Sequence, residues 1–226
     1  MRLKYGLDYR LVPYFQDPES NLKKAIGERR DIAERIVSAV KEVYQWAVKD
    51  IRDDAPVLHV RAELPVRKRT VSKEEAEWCQ ENIDAIKASL PDPKSMTEVE
   101  YRVQMSKLDT IIYRNERAIE RSRNEREGER IDTVVHIVRI GDVAFATNCF
   151  ELYIDYMHQI QARSPFIQTF IVELSAEGSG GDGYLPTERG KANNGYSASI
   201  FCNAVGPEGG RDLVEGTLDL LDQISK

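Results

Sequence analysis

Residues Ile131 to Thr147, IDTVVHIVRIGDVAFAT, constrain this chain more than any other stretch. β-Branched residues crowd both halves, and Gly141-Asp142 separates them where a hairpin needs a residue with positive φ. The run predicts two strands, Ile131 to Ile140 and Val143 to Thr147, and its density of Val and Ile puts them in a central, buried sheet.

Helical periodicity brackets this sheet. From Asn21 to about Asp50, Leu22, Ile26, Ile36, Val40, Val43 and Ala47 recur at helical spacing, with Ser20 as N-cap. Leu58, Val60 and Ala62 then alternate with His59, Arg61 and Glu63 as a half-buried strand that Pro65 ends. A second helix opens at Ser72 with acidic residues in its first turn, and Leu90-Pro91-Asp92-Pro93 closes it. A third runs from about Thr97 to Glu125, with Tyr101, Met105, Leu108, Ile112 and Ile119 in near-heptad register, a stripe expected to pack against the first helix. The charge run Arg123 to Arg130 reads as a solvated helix end at Gly128.

Beyond the hairpin the expected elements are a helix from Glu151 to Ala162, a strand from Phe166 to Leu174, and a Gly-rich loop from Ser175 to Asn194. A strand near Ser197 to Cys202 and a helix from about Gly209 to Ile224 complete the order. The fold class is therefore α/β, a mixed sheet layered with helices, in one domain spanning residues 1–226.

Charge narrows the partners. With 32 basic against 38 acidic residues the net charge is −6, so no global positive field attracts nucleic acid. No run approaches the roughly 18 apolar residues of a membrane helix, and MRLKYGLDYR lacks the apolar core of a signal peptide. Read from this chain the location is cytoplasmic; an upstream signal segment would make it secreted or periplasmic. Cys79, Cys149 and Cys202 lie far apart and read as buried free thiols.

Several residues could carry chemistry. EGSGGDG leads into no helix and no GK[ST], Gly190-Lys191 lacks the spacing as well, and VGPEGG reads as a helix-entry turn, so nucleotide binding is not indicated. Glu151, Asp155 and His158 fall at i, i+4 and i+7 and would share a helical face, either as ligands or as an ordinary polar face. Glu151 stands apart because it follows a buried strand directly, where α/β sheets face their ligands. His136 reads as a hydrogen-bonded core histidine and His59 as exposed; three histidines without HxH or HExxH spacing make no zinc site by themselves.

The string from Val134 to Leu174, followed by GYLPTERGKANNGYSAS and VGPEGGRDLVEGTLDLL, resembles the carboxyl-terminal part of the neutral/alkaline non-lysosomal ceramidase family. The shared features are the Gly141-Asp142 hairpin, Glu151, Tyr184-Leu185-Pro186-Thr187, and Tyr196 twelve residues after Tyr184. The match covers about Val134 to Leu221, with a weaker echo before Leu64-Pro65-Val66-Arg67. In that family one zinc is held by two histidines of the amino-terminal half together with this glutamate and the first tyrosine, and a zinc-activated water attacks an amide carbonyl. The resemblance thus implies Glu151 and Tyr184 as zinc ligands and Tyr196 beside the reacting carbonyl oxygen.

Two departures accompany it. Cys149-Phe150 stands where the family has Pro-Gly, and the family's amino-terminal histidine motifs and its Gly-Asp-Val-Ser-Pro-Asn segment have no counterpart here. The chain is accordingly expected to be the carboxyl-terminal half of a larger catalytic domain, part of a zinc-dependent amidohydrolase acting on a small-molecule or lipid-like amide. Taken singly, Tyr184 also reads as a loop aromatic packed on the sheet, Tyr196 as a strand tyrosine, and Glu151 as a carboxylate stabilised by a helix dipole. The competing function is a non-catalytic interaction module whose long charged helices contact a partner or form a homo-oligomer.

Overall fold

The computed structural model describes residues 18–175, 183–193 and 195–226. Contacts divide the chain into two units, 1–54 and 55–226. In the first, helix α1 spans Pro18–Ala47. Ser20 therefore lies within its first turn and is not its cap, and Pro18 begins the helix, where its fixed φ suits the start. Along α1, Ile36, Val40 and Val43 stand exposed.

The second unit begins with β1 (Val57–Arg67), followed by α2 (Lys73–Ala88), a 3₁₀ turn at Pro93–Ser95, and α3 (Glu98–Asn124). Next come β2 (Arg130–Ile140), β3 (Val143–Thr147), β4 (Phe150–Leu152), α4 (Ile154–Arg163) and β5 (Gln168–Val172). The chain finishes with β6 (Gly183–Leu185), α5 (Glu188–Ala192), a 3₁₀ turn at Tyr196–Ala198, and α6 (Pro207–Ser225). The fold is mixed α/β. Its main sheet runs β1-β2-β3-β5, antiparallel except for the parallel β3–β5 pair, and β4 and β6 form a separate parallel pair.

The β2–β3 hairpin forms as its residues dictate, with Gly141 at φ 62. Inward residues Val135, Ile137, Ala144 and Ala146 meet Leu213, Val214, Leu221 and Ile224 of α6, with Phe150 and Ile160 closing the core. The opposite sheet face carries the stacked rings of Phe145 and Phe170, 4.9 Å apart, and the latter is 45% exposed.

Pro65 does not end β1; it pairs in register with Asp132. β1 is the edge of the sheet, and two residues on, the Arg67 N–H points off the ladder to Asp212 Oδ2 at 3.0 Å. Strand alternation puts the Pro65 nitrogen on that same unpaired side, so its missing N–H breaks no ladder bond.

The helices α2 and α3 begin with capping boxes, Ser72 with Glu75 and Thr97 with Glu100. The α3 stripe is turned inward as its spacing predicts, but its packing partner is α2, through Cys79, Ala118 and neighbouring Ile119. α2 and α3 are consecutive, joined by residues 89–97 with the Pro93–Ser95 turn among them, a short-range pairing that the spacing along α3 alone does not specify.

Three further elements differ from expectation. Residues 175–194 are not one long loop, since β6 and α5 lie within them; the EGSGGDG string falls mostly outside the described residues. Ser197 to Cys202 form a 3₁₀ turn and bends in place of a strand. Glu151 belongs to β4, and the following helix starts only at Ile154.

Arg67 and Asp212 tie the edge strand to α6. Nε and Nη2 of Arg67 donate to the carboxylate at 2.8 and 2.7 Å. Burial works to raise the Asp212 pKa, but the Arg67 side chain and N–H, with the charges of Arg67 and Arg130, outweigh it and hold the carboxyl below its ordinary value. Asp212→Asn is expected to cost about 1–3 kcal/mol at neutral pH. Because the folded pKa lies below the unfolded value of about 3.9, this stability is complete above that pH and lost as pH falls through the folded value. Urea unfolding checks it: wild type and variant differ at neutral pH, and the difference shrinks as pH falls below the unfolded value.

Candidate functional site

The residues singled out by sequence converge where the short strands meet. β4 and β6 pair in parallel with Phe150 opposite Gly183, Glu151 opposite Tyr184, and Leu152 opposite Leu185. Directly opposed residues project to one face, so the carboxylate and the phenol stand side by side. The Glu151 charge, then burial, then a hydrogen bond to the same carboxylate raise the Tyr184 pKa. Tyr184 in turn meets Tyr196 edge to face, with ring centroids 6.2 Å apart and planes at 76°.

Backbone geometry fixes this arrangement. Gly183 sits at φ 120, and a Cβ there would lie 2.8 Å from the Cys202 carbonyl oxygen, so only glycine brings β6 this close. The Tyr184 N–H then donates to that carbonyl at 3.1 Å. On the other side, the chain following β5 runs beside β4: Asn148 N–H donates to Val172 O at 3.0 Å, and Leu174 N–H to Phe150 O at 3.3 Å. This brings up Glu173, whose pKa is raised by burial and by the Glu151 charge against a lowering hydrogen bond from the Leu152 backbone. Two neighbouring carboxylates make the spot attractive to a cation.

The 3₁₀ turn that carries Tyr196 is held by buried polar groups. Tyr153 Oη and Ser197 Oγ are 2.7 Å apart. Asn203 donates to the Ser197 and Ser199 carbonyls, and its Oδ1 accepts from Arg69 Nη1 at 2.7 Å. Arg69 also donates to Ala198 O and to Glu75, and Arg121 donates to Ile200 O and to Arg69 O. The capped start of α2 and the body of α3 thereby position the segment from Tyr196 to Cys202. Beside it, interaction with the Cys202 side chain, then burial and nearby Tyr184, raise the Tyr196 pKa against the lowering effect of Arg114. Tyr196 is 51% exposed, so its ring lines an accessible surface.

Other expectations change. Glu151 shares no helical face with Asp155 and His158, because it lies in β4; Asp155 pairs with Arg189 at 2.6 Å and His158 is exposed on α4. His136 is hydrogen-bonded, but on the half-buried outer face and not in the core: its Nδ1 lies 2.9 Å from Nε2 of exposed His59, with the rings stacked. Gly190 and Lys191 are part of α5, capped by Thr187, and VGPEGG leads into α6 as expected. Cys79 and Cys149 are buried, whereas Cys202 is only half-buried. Glu173, Cys202, Arg69 and Asn203 were not foreseen as site residues. Glu173 has a weak signal, a carboxylate just past a strand's end; the others act through long-range contacts with no local pattern.

Chemically, the cluster offers a carboxylate, a second carboxylate with a raised pKa, two phenols that hold their protons, and a thiol. Among the described residues no three His, Cys, Asp or Glu side chains converge on one point, so an ion here would use the tyrosines. Also among the described residues, no helix is long and apolar enough to cross a membrane. No protein-family profile, curated protein or solved structure matches the chain.

Two outcomes are expected. Of the three thiols, one, Cys202, reacts rapidly with a chromogenic disulfide reagent in the native state, because Cys149 is buried and burial with the Glu75 charge pushes the Cys79 thiol up to about 11. Mass mapping of the labelled peptide identifies it. Arg69→Met leaves Glu75, Asn203 and the Ala198 carbonyl without their buried partner and is expected to cost about 3–5 kcal/mol. In that variant Cys202 labelling accelerates below the unfolding transition, as the Tyr196–Cys202 segment loosens.

Proposed function

We propose that this chain supplies one wall of a zinc-dependent amidohydrolase site of the neutral ceramidase kind, with Glu151 and Tyr184 as metal donors and Tyr196 beside the reacting carbonyl. One observation carries the reading: the parallel register sets Glu151 directly opposite Tyr184, and Tyr196, twelve residues on, folds back against the same ring. Nothing about chain proximity requires this, since 33 positions separate Glu151 from Tyr184 (184 − 151).

The residues present suit a divalent cation. Glu151 and Glu173 bring negative charge together, and the parallel register sets the Tyr184 side chain beside Glu151. Zinc, when bound, supplies Lewis-acid polarisation of a carbonyl and a water of lowered pKa. Around it, Glu151 would give an anionic oxygen, and Tyr184 would lose its proton to solvent to serve as a donor. Tyr196, its pKa raised and its ring half-exposed, would offer its hydroxyl proton to oxygen that gains negative charge. The two histidines of the family's zinc site belong to its amino-terminal half, so the function proposed for this chain is that of half a site acting on an amide or acyl bond.

A second reading has its own observation. Helix α1 exposes Ile36 at 60%, Val40 at 59% and Val43 at 62%, a stripe suited to a partner helix or a second copy of the chain. It describes an interaction module, with or without catalysis.

The test is zinc content together with hydrolysis of N-acyl substrates, measured for wild type, Glu151→Ala and Tyr184→Phe. Glu151→Ala is expected to lower zinc affinity by at least about 10-fold and to abolish hydrolysis, with Tyr184→Phe in the same direction. Zinc content and activity unchanged by both substitutions overturn the enzyme reading and leave the interaction module.

A further inference from the structure

We infer that α1 is an association helix through which copies of this chain join, apolar face to apolar face, into a bundle of more than two helices. The inference rests on the reading of α1 as an interaction surface and names further copies of the chain as its partner.

The pattern along α1 is a heptad. Ile26, Ala33, Val40 and Ala47 recur at every seventh residue, and Ile36 and Val43 take the second seam position of the same repeats. Val37 and Tyr44 flank this seam on one side, Ile32 and Ala39 on the other. At about 100° per residue these positions fill an arc of roughly 160°, with Trp46 just past its edge. Among the described side chains Arg29 is the one charge inside that arc. Every residue from Ile26 to Ala47 stands exposed. A helix without a packed face is marginal in water, and Ile and Val, which lose rotamer freedom in a helix, weaken it further. Burial of the arc supplies the stabilisation that α1 lacks by itself.

Width and charge identify the occupant. In a two-stranded coiled coil the flanking positions carry charges and remain wet; here they are apolar, so a single neighbouring helix leaves part of the arc in water, whereas two neighbours cover it. The other long helices of the chain are committed: α2 and α3 pack on each other around Cys79 and Ala118, and α6 packs on the main sheet. Closed rotational symmetry gives every copy two identical neighbours from one sequence. Over residues 24–47, five basic residues stand against four acidic ones, among them the Lys24–Glu28 pair four positions apart. Copies of this helix therefore meet without net repulsion, and its polar half lacks the strong basic excess by which an amphipathic helix settles on an anionic membrane.

The experiment is sedimentation velocity with multi-angle light scattering on the full chain, for wild type, Ile36→Glu, Val40→Glu, Val37→Glu and, on the polar face, Ser38→Glu. These side chains are exposed in the single copy, so the substitutions remove no packing within it; near-ultraviolet circular dichroism and thermal melting establish that residues 55–226 remain folded. The expected result is an assembly of more than two copies for wild type and Ser38→Glu. Ile36→Glu and Val40→Glu should raise the dissociation constant at least about 100-fold, because each would bury an unpaired carboxylate. Val37→Glu should dissociate the assembly as well, since its position lies inside a bundle but outside a two-stranded seam. A monomeric wild type overturns the proposal, and so does an assembly that persists in Ile36→Glu and Val40→Glu. A two-copy assembly that tolerates Val37→Glu overturns the bundle. With a monomeric wild type, retention of a lysate protein or of phosphatidylglycerol vesicles by wild type and not by Ile36→Glu keeps α1 as an interaction surface for a different occupant, and retention of neither ends that reading too.

Discussion

The guanidinium of Arg69 is the constraint on which the second unit depends. It is 9% exposed, so it has given up its hydration and must recover that interaction inside the protein. It does so with three partners from distant places: Glu75 at 2.9 Å, the Ala198 carbonyl at 2.8 Å, and Asn203 Oδ1 at 2.7 Å. Glu75 is already committed to the capping box of α2, so the start of that helix, the end of β1 and the 198–203 segment are placed by one cation. A planar five-donor group is suited to this task, whereas an ammonium at the same position could not span the three directions.

Arg121 extends the arrangement. Donating to Ile200 O, Asn203 O and Arg69 O while its Nε binds Glu125, it ties α3 to the same turn. The segment satisfied in this way has little regular hydrogen bonding of its own. Its carbonyls would otherwise be buried without donors, a cost comparable to losing a hydrogen bond each. The side chains of Arg69, Arg121 and Asn203 replace the ladder that a strand would have provided, which is why Ser197 to Cys202 can bend and still be ordered. The same device recurs at the other end of the sheet, where Arg139 donates to the Ile224 and Ser225 carbonyls at the end of α6.

This division explains what the sequence made legible. The Ser72 cap, the Gly141-Asp142 hairpin and the inward stripe of α3 follow from interactions spanning at most a turn or a pair of strands, and they stand where local chemistry puts them. Pro65 and the 197–202 segment depart from their local patterns because their outcome depends on neighbours far along the chain: edge position and Asp212 in one case, two arginines in the other. Glu151 is the instructive instance. In sequence it opens an apolar helical pattern, yet β4 is only three residues long and exists because β6 lies alongside, so pairing that no local pattern encodes overrides helical propensity. The association of Glu151, Tyr184 and Tyr196 was available only through resemblance, whereas Glu173 and Cys202 required the fold.

The consequence for the candidate site is that its precision comes from the scaffold and not from its own strands. Two three-residue strands have little independent stability, and an isolated two-stranded pair is marginal in water even when longer. The Glu151–Tyr184 register is held instead by Phe150, fully buried in the main core, by Leu185 beside it, and by the Gly183 approach to the Cys202 carbonyl. One wall of the cluster therefore rests on the apolar core of α6 and the sheet, and the other on the arginine-clamped turn. Shifting β6 by one residue would turn Tyr184 to the opposite face and bury it where Leu185 now packs. Core packing and the Arg69 network thus act on the same few side chains from opposite sides, and the spacing of Glu151, Tyr184 and Tyr196 is set by where those two supports meet.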